Sequence, residues 1–250
     1  MIPVETSAIV FSCIFAGAML GMWLRSVLPE HHLDAETKDL VKLGVGLIGT
    51  MAALLLGLLV ASAKSSYDTR SSELTQLAAN IILLDRTLAH YGTETGEIRS
   101  ILKIAVARRI DQIWPKDGKE KGGVNSQTGG EIIFDKIQDL VPRTDAQRAL
   151  QAQAESITLN LGQTRWLLFA QSGTSISAPF LVVVVFWLAM LFVSFGLFAP
   201  RNATAIVTLL VSAISVAGAM FLILELDSPF SGLIQISSAP LRGALAVLGK

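Results

Sequence analysis

Residues 42–70 read KLGVGLIGTMAALLLGLLVASAKSSYDTR, and the reading of this stretch decides the fold. From Leu43 to Ala63 it carries no charge, and Lys42 and Lys64 bracket it. A helix rises ~1.5 Å per residue, so a run of this length crosses the ~30 Å hydrocarbon core of a bilayer. Nothing between Leu43 and His90 breaks a helix: there is no proline, and no glycine after Gly57. The stretch therefore predicts one helix of ~45 residues reaching ~68 Å, twice the membrane thickness. Such a helix would carry a membrane bundle rigidly into whatever follows it.

Outward from this helix, three further uncharged runs are long enough to span. They lie at about 7–24, from Pro179 through LVVVVFWLAMLFVSFGLFA, and from Ala203 to Leu224, which is followed by Glu225. Pro200, Arg201 and Asn202 separate the last two, which predicts an antiparallel hairpin. The first run has only Glu5 before it and lacks the basic start of a signal peptide, so it reads as a retained helix. The composition agrees: 52% hydrophobic and 16% charged residues, against ~25% charged in an average soluble protein. Twenty basic and twenty acidic side chains cancel, which removes the field needed to attract nucleic acid. The single cysteine, Cys13, excludes an internal disulfide.

Residues 64–178 differ in character, holding 27 of the chain's 40 strong charges. They read as a soluble helical domain inserted between spans two and three. Leu74, Leu77, Ile81, Leu84 and Leu88 recur at steps of three and four, as do Ile98, Leu102, Val106, Ile110 and Ile113. Trp114 and Pro115 close the second stripe. Residues 116–130, KDGKEKGGVNSQTGG, have five glycines and no apolar period, which predicts a flexible loop. Helix resumes at Glu131, is interrupted at Pro142, and restarts behind Thr144 and Asp145 with a stripe of Leu150, Ala154, Ile157 and Leu161. The fold class is all-α: transmembrane helices 1 and 2 in residues 1–63, the inserted domain in 64–178, helices 3 and 4 in 179–224, and a tail in 225–250. Counting near-membrane Lys and Arg places the termini and the inserted domain on the cytosolic side. A multi-pass protein of a bacterial inner membrane is expected.

Three spans have a face of small or hydroxyl residues. These are Cys13, Gly17 and Gly21; Gly46, Thr50, Ala53, Gly57 and Ala61; and Thr204, Thr208, Ser212, Ser215 and Ala219. Taken singly, such a face is first explained by close helix packing, within or between subunits; the functional reading is the wall of a wet pore. The pore reading nominates Thr50, Ala53, Gly57, Leu58, Ala61 and Lys64 as lining residues. No ionisable residue lies well inside any span, which disfavours a pump or transporter built on buried carboxylates.

Chemistry is otherwise scarce. His31 and His32, with Asp34 and Glu36, are the only hint of a metal site, and exposed loop residues explain them as well. The Gly122-Gly123 and Gly129-Gly130 pairs lack the Lys-Ser/Thr of a phosphate loop. Cys13 sits in a span, away from any histidine. No catalytic residue, metal site or cofactor is nominated, and an enzyme is not expected.

The glycine-rich second span running into Ser66-Tyr67-Asp68-Thr69-Arg70, then Leu77-Ala78-Ala79-Asn80, the paired later spans, and Leu226-Asp227-Ser228-Pro229-Phe230-Ser231-Gly232 resemble the bestrophin-like domain family of bacterial and plant membrane proteins. More remotely the chain resembles bestrophin anion channels, pentamers whose second helix lines the pore. Pro229, Phe230 and Gly232 match the turn that follows the last span there. The resemblance implies self-association as a pentamer and an anion path along the second helix. Two departures stand out. Leu233-Ile234-Gln235-Ile236-Ser237 replaces the acidic cluster that binds calcium, and the second span has no aromatic residue. Glu225 and Asp227 alone supply too few oxygens for calcium. The rival expectation is a membrane-anchored sensor or scaffold whose soluble helices bind a cytosolic protein; a small-molecule permease is a third. The expected partners are lipid, further copies of the chain and, in the rival reading, a cytosolic protein, with no nucleic acid.

Overall fold

The computed structural model describes residues 3–29, 34–115, 128–170, 176, 178–230 and 232–250. These form helices α1 (Pro3–Val27), α2 (Ala35–Tyr91), α3 (Gly96–Ile113), α4 (Thr128–Gln138), α5 (Asp145–Ala170), α6 (Ala178–Phe198), α7 (Ala203–Asp227) and α8 (Ala239–Val247), with a 3-10 turn at Thr93–Thr95. No strand occurs among the described residues. Helices α1, α2, α6 and α7 are long and apolar enough to cross a membrane. The chain divides into two compact units, residues 1–67 with 174–235, and residues 68–173 with 236–250.

The first unit has a core of Ile14, Ala18, Leu59, Ala63, Val184, Leu188, Phe192, Ala213 and Met220. In lipid, packing rather than water exclusion draws helices together, so close approach matters. The closest approach is between α1 and α6. A methyl added to Gly17 would lie 3.0 Å from the Ala189 carbonyl oxygen. One added to Gly21 would run into the Val193 carbonyl, and one on Gly196 into the Ala18 carbonyl. The expected α6–α7 hairpin takes a different form: α1 lies along both helices, while α6 and α7 make little contact with each other. Gly17, Gly21 and Gly196 leave room for the α1 and α6 backbones to approach this closely. Two arginines tie off this end of the unit. Arg25 donates to the Ala199 carbonyl, and Arg201 donates to the Met22 carbonyl at 3.0 Å. Each cation thereby meets the negative end of a neighbouring helix. Asn202 caps α7 by accepting from the Ala205 N–H at 2.8 Å.

Helix α2 is unbroken over 57 residues, which at ~1.5 Å each is ~86 Å. It starts eight residues before the predicted span, because the Asp34 carboxylate accepts from the Thr37 N–H at 2.8 Å and nucleates the first turn. It ends at Gly92, whose φ of +140° few other residues tolerate. The buried Thr95 hydroxyl then donates towards the Leu88 carbonyl at 2.5 Å.

In the second unit, Leu74, Ile81, Leu84 and Leu88 of α2 are buried, as are Ile98, Leu102, Val106 and Ile110 of α3. Leu77 and Ile113, at the margins of the same stripes, are half-buried. Ala154 and Ile157 of α5 are buried too. Thr144 caps α5, accepting from the Gln147 N–H at 3.1 Å, and the Gln147 side chain accepts from the Arg143 N–H at 2.8 Å. Thr144 is thus the N-cap of α5, at the position where the sequence placed the restart, and Gln147 adds a bond back to the residue before it. The expected loop 116–130 lies outside the described residues as far as 127. Its last three residues differ from expectation, forming the first turn of α4. Gly129 packs on Ala105 of α3 and Gly130 on Arg165 of α5, so tertiary contact overrides poor helix propensity.

Candidate functional site

The nominated residues of α2 share one property. Thr50, Ala53, Gly57, Leu58, Ala61 and Lys64 are all exposed, while Ala52, Leu59 and Ala63 on the opposite face are buried in the core. A methyl added to Gly46 or Gly57 would meet nothing within 4 Å. Of the most apolar 18-residue window of α2, 11% is buried, against 33%, 28% and 28% for α1, α6 and α7. Leu43, Leu47, Leu54 and Leu58 extend this uncovered surface along the helix.

The small-residue faces thus separate by role. Gly17 and Gly21 of α1 are packed against α6, whereas Cys13 on the same face is exposed. The faces of α2 and of α7 (Thr204, Thr208, Ser212, Ser215 and Ala219) point away from the chain's own core. Three of their hydroxyls are satisfied locally: Thr50 donates to the Leu47 carbonyl at 2.8 Å, Thr208 to Thr204 at 2.9 Å, and Ser215 to Val211 at 2.9 Å. The α2 face can therefore sit against an apolar neighbour without an orphaned hydroxyl at Thr50. At the end of the α2 face, the Lys64 ammonium lies 5.6 Å from the centre of the Tyr67 ring.

The turn after α7 is organised by Glu225, which the sequence reading considered only as a cation ligand. Its side chain is buried, and one carboxylate oxygen accepts from the Leu233 N–H at 2.6 Å and the Ile234 N–H at 3.2 Å. Gly232 adopts a φ of +100°, and a methyl there would collide with the same carboxylate. Gly232 thus serves the turn twice, by its backbone conformation and by leaving room for Glu225. Pro229 is buried beside it and Phe230 is half-buried. An acid seven residues before a glycine, at the end of an apolar run, was the available signal. No cluster of three or more His, Cys, Asp or Glu side chains suited to a metal occurs among the described residues. His31 and His32 lie outside them.

A second polar cluster, in the other unit, escaped the sequence reading. Asp85 of α2 is 1% exposed and forms a bidentate pair with Arg99 of α3, at 2.8 and 3.0 Å. It also accepts from the Gly249 N–H at 3.3 Å. Arg86 and Arg99 donate to the Lys250 carbonyl at 3.1 and 3.2 Å, and Lys103 to the Leu248 carbonyl at 3.1 Å. Trp114 donates its indole N–H to the Ile236 carbonyl at 3.0 Å. These bonds hold both ends of the 236–250 segment on its own unit. Burial by itself would raise the pKa of Asp85, but the Arg99 and Gly249 hydrogen bonds and the charges of Arg99 and Arg86 together hold it below the usual carboxylate value. The same pairing raises that of Arg99.

No curated protein matches the chain, and neither does any solved structure. The model of one family does, the Bestrophin-like domain, over residues 12–241. That match takes in most of the first candidate span and all of the other three, the exposed face of α2 and the turn at Pro229–Gly232, and so the chain belongs to the bestrophin-like domain family.

Proposed function

We propose that this protein is a homo-oligomeric anion channel of the bacterial inner membrane, with the second helix of each subunit lining the path. One observation carries the reading: the α2 span is the least covered of the four, and its uncovered side holds the small and hydroxyl residues Thr50, Ala53, Gly57 and Ala61. A lone chain would give that face to lipid, where small residues have no advantage over leucine. In a ring of subunits it becomes a wall, narrowed at Leu58 and opening towards the cation of Lys64. The exposed α7 face then supports contact between neighbours. Residues 64–178 serve as a cytosolic domain in this reading. Family membership supports a channel rather than an enzyme.

Two measurements test the proposal. Purified protein imaged in detergent or nanodiscs is expected to show rotational symmetry with α2 nearest the axis, five-fold by the bestrophin likeness. In planar bilayers it is expected to pass chloride in discrete steps. A monomer, or a well-formed oligomer silent at every voltage and anion tried, refutes the reading. The sensor alternative would instead lose partner recovery on deletion of residues 70–165 with insertion intact.

A further inference from the structure

Helix α4 packs against both α3 and α5, and its two ends are treated differently. At the C-terminal end, the Gln151 amide donates to the carbonyls of Ile137 and Leu140, at 2.8 and 3.0 Å, supplying partners the helix lacks. The other end has charge of the wrong sign. Gly130 faces Arg165 of α5, with a guanidinium nitrogen 3.4 Å from where a methyl would stand. Gly129 faces Ala105 of α3, one helical turn from Arg109. Two arginines from different helices thus converge beside the start of α4. Both are half-buried, and neither pairs with a carboxylate among the described residues. Of the acids on these three helices, Glu97 pairs with Lys136 and Asp145 with Arg148, while Asp111, Glu131, Asp135 and Glu155 pair with neither arginine. Burial, and then the neighbouring charge of Arg165, lower the pKa of Arg109, as expected of a guanidinium without a counter-ion.

We propose that Arg109 and Arg165 form a binding site for a phosphate group. Arginine presents a planar fork of donors that fits two oxygens of a tetrahedral anion, and two such forks enclose it. The Trp166 ring, 5.7 Å from the Arg165 guanidinium carbon, lies against that fork. The phosphate has two sources, the free ion or the headgroup of an anionic lipid. Exposed Trp166 and Leu167 beside the pair suit a lipid surface. The site stands independently of the channel reading.

The test uses the full chain in nanodiscs of phosphatidylcholine, with and without phosphatidylglycerol. Thermal unfolding is followed against inorganic phosphate, with chloride as the matched salt. In phosphatidylcholine, phosphate is expected to raise the midpoint saturably, and Arg109→Gln or Arg165→Gln to weaken that response about tenfold or more. Without phosphate, each substitution is expected to raise the midpoint, since it relieves repulsion. A lipid source predicts that phosphatidylglycerol stabilises the wild type but neither variant, and removes the response to added phosphate. A soluble source predicts the same phosphate response in both discs. Arg165→Lys keeps the charge but loses the fork, and is expected to bind phosphate several-fold more weakly. The proposal is overturned if neither phosphate nor phosphatidylglycerol shifts the midpoint beyond chloride, if the Gln variants respond like wild type, or if they fail to fold.

Discussion

The contact between α1 and α6 permits a paired experiment in which one chemical change has opposite consequences at two sites. Gly21→Ala places a methyl against the Val193 carbonyl, 2.8 Å from the Leu197 nitrogen and 2.9 Å from the Val193 carbonyl carbon. All three atoms are backbone, so no side chain can swing away. Non-bonded carbon contacts are comfortable at ~3.5–4.0 Å, and the two helices must therefore part by about 1 Å. A gap of that size forfeits a quarter to a half of the dispersion attraction along the seam, and overpacking costs about 1–3 kcal/mol. The backbone contact argues for the upper end, partly offset by ~1 kcal/mol of better helix propensity. Gly57→Ala on α2 meets nothing within 4 Å and retains only the gain. The two variants should differ by roughly 2–3 kcal/mol in stability. Reversible unfolding in mixed micelles, titrated with a denaturing detergent and followed by circular dichroism, measures this. Equal midpoints for the two variants would refute the claim that the α1 stripe packs while the α2 stripe does not.

Three other outcomes follow from the geometry. Asp85→Ala strands the Arg99 guanidinium and the Gly249 N–H; a loss of about 3 kcal/mol is expected, read as faster hydrogen exchange in residues 236–250. Because the folded carboxyl has a depressed pKa, its contribution is complete above the unfolded value of ~3.9 and fades as pH falls below it; Asp85→Asn should flatten that acid limb of an unfolding profile. Gly232→Ala forces a side chain into a positive φ and against Glu225, which should cost about 1–3 kcal/mol and lower the yield of folded protein. In the channel reading, Lys64→Glu should shift the reversal potential in a chloride gradient away from anion selectivity; an unchanged potential would remove Lys64 from the path.

Much of this architecture was legible along the chain, for a definite reason. Lipid demands long uncharged runs, so the four spans stand out whatever surrounds them. The stripes of α2, α3 and α5 were legible because helical periodicity is local. What escaped depended on partners far apart in sequence. Gly21 lies against Val193 and Leu197, and Gly196 against Ala18 and Met22, and nothing local in either helix marks these positions as meeting. Asp85 and Arg99 belong to different helices, and no spacing rule pairs them. Gly129 and Gly130 looked like loop because their helical state depends on α3 and α5. The same limit applies to the functional face. Three small-residue stripes were visible, but only packing separates the one that is used up within the chain from the two that remain open.

The most direct test of a path along α2 is thiol accessibility during current recording. In a Cys13→Ser background, single cysteines are introduced at Thr50, Ala53, Gly57 and Ala61, and at Ala52 and Ala63 on the buried face. A charged methanethiosulfonate is then applied to open channels. The account predicts current block at the first four positions and none at the last two. Block confined to Ala52 and Ala63, or currents untouched at all six, would contradict it.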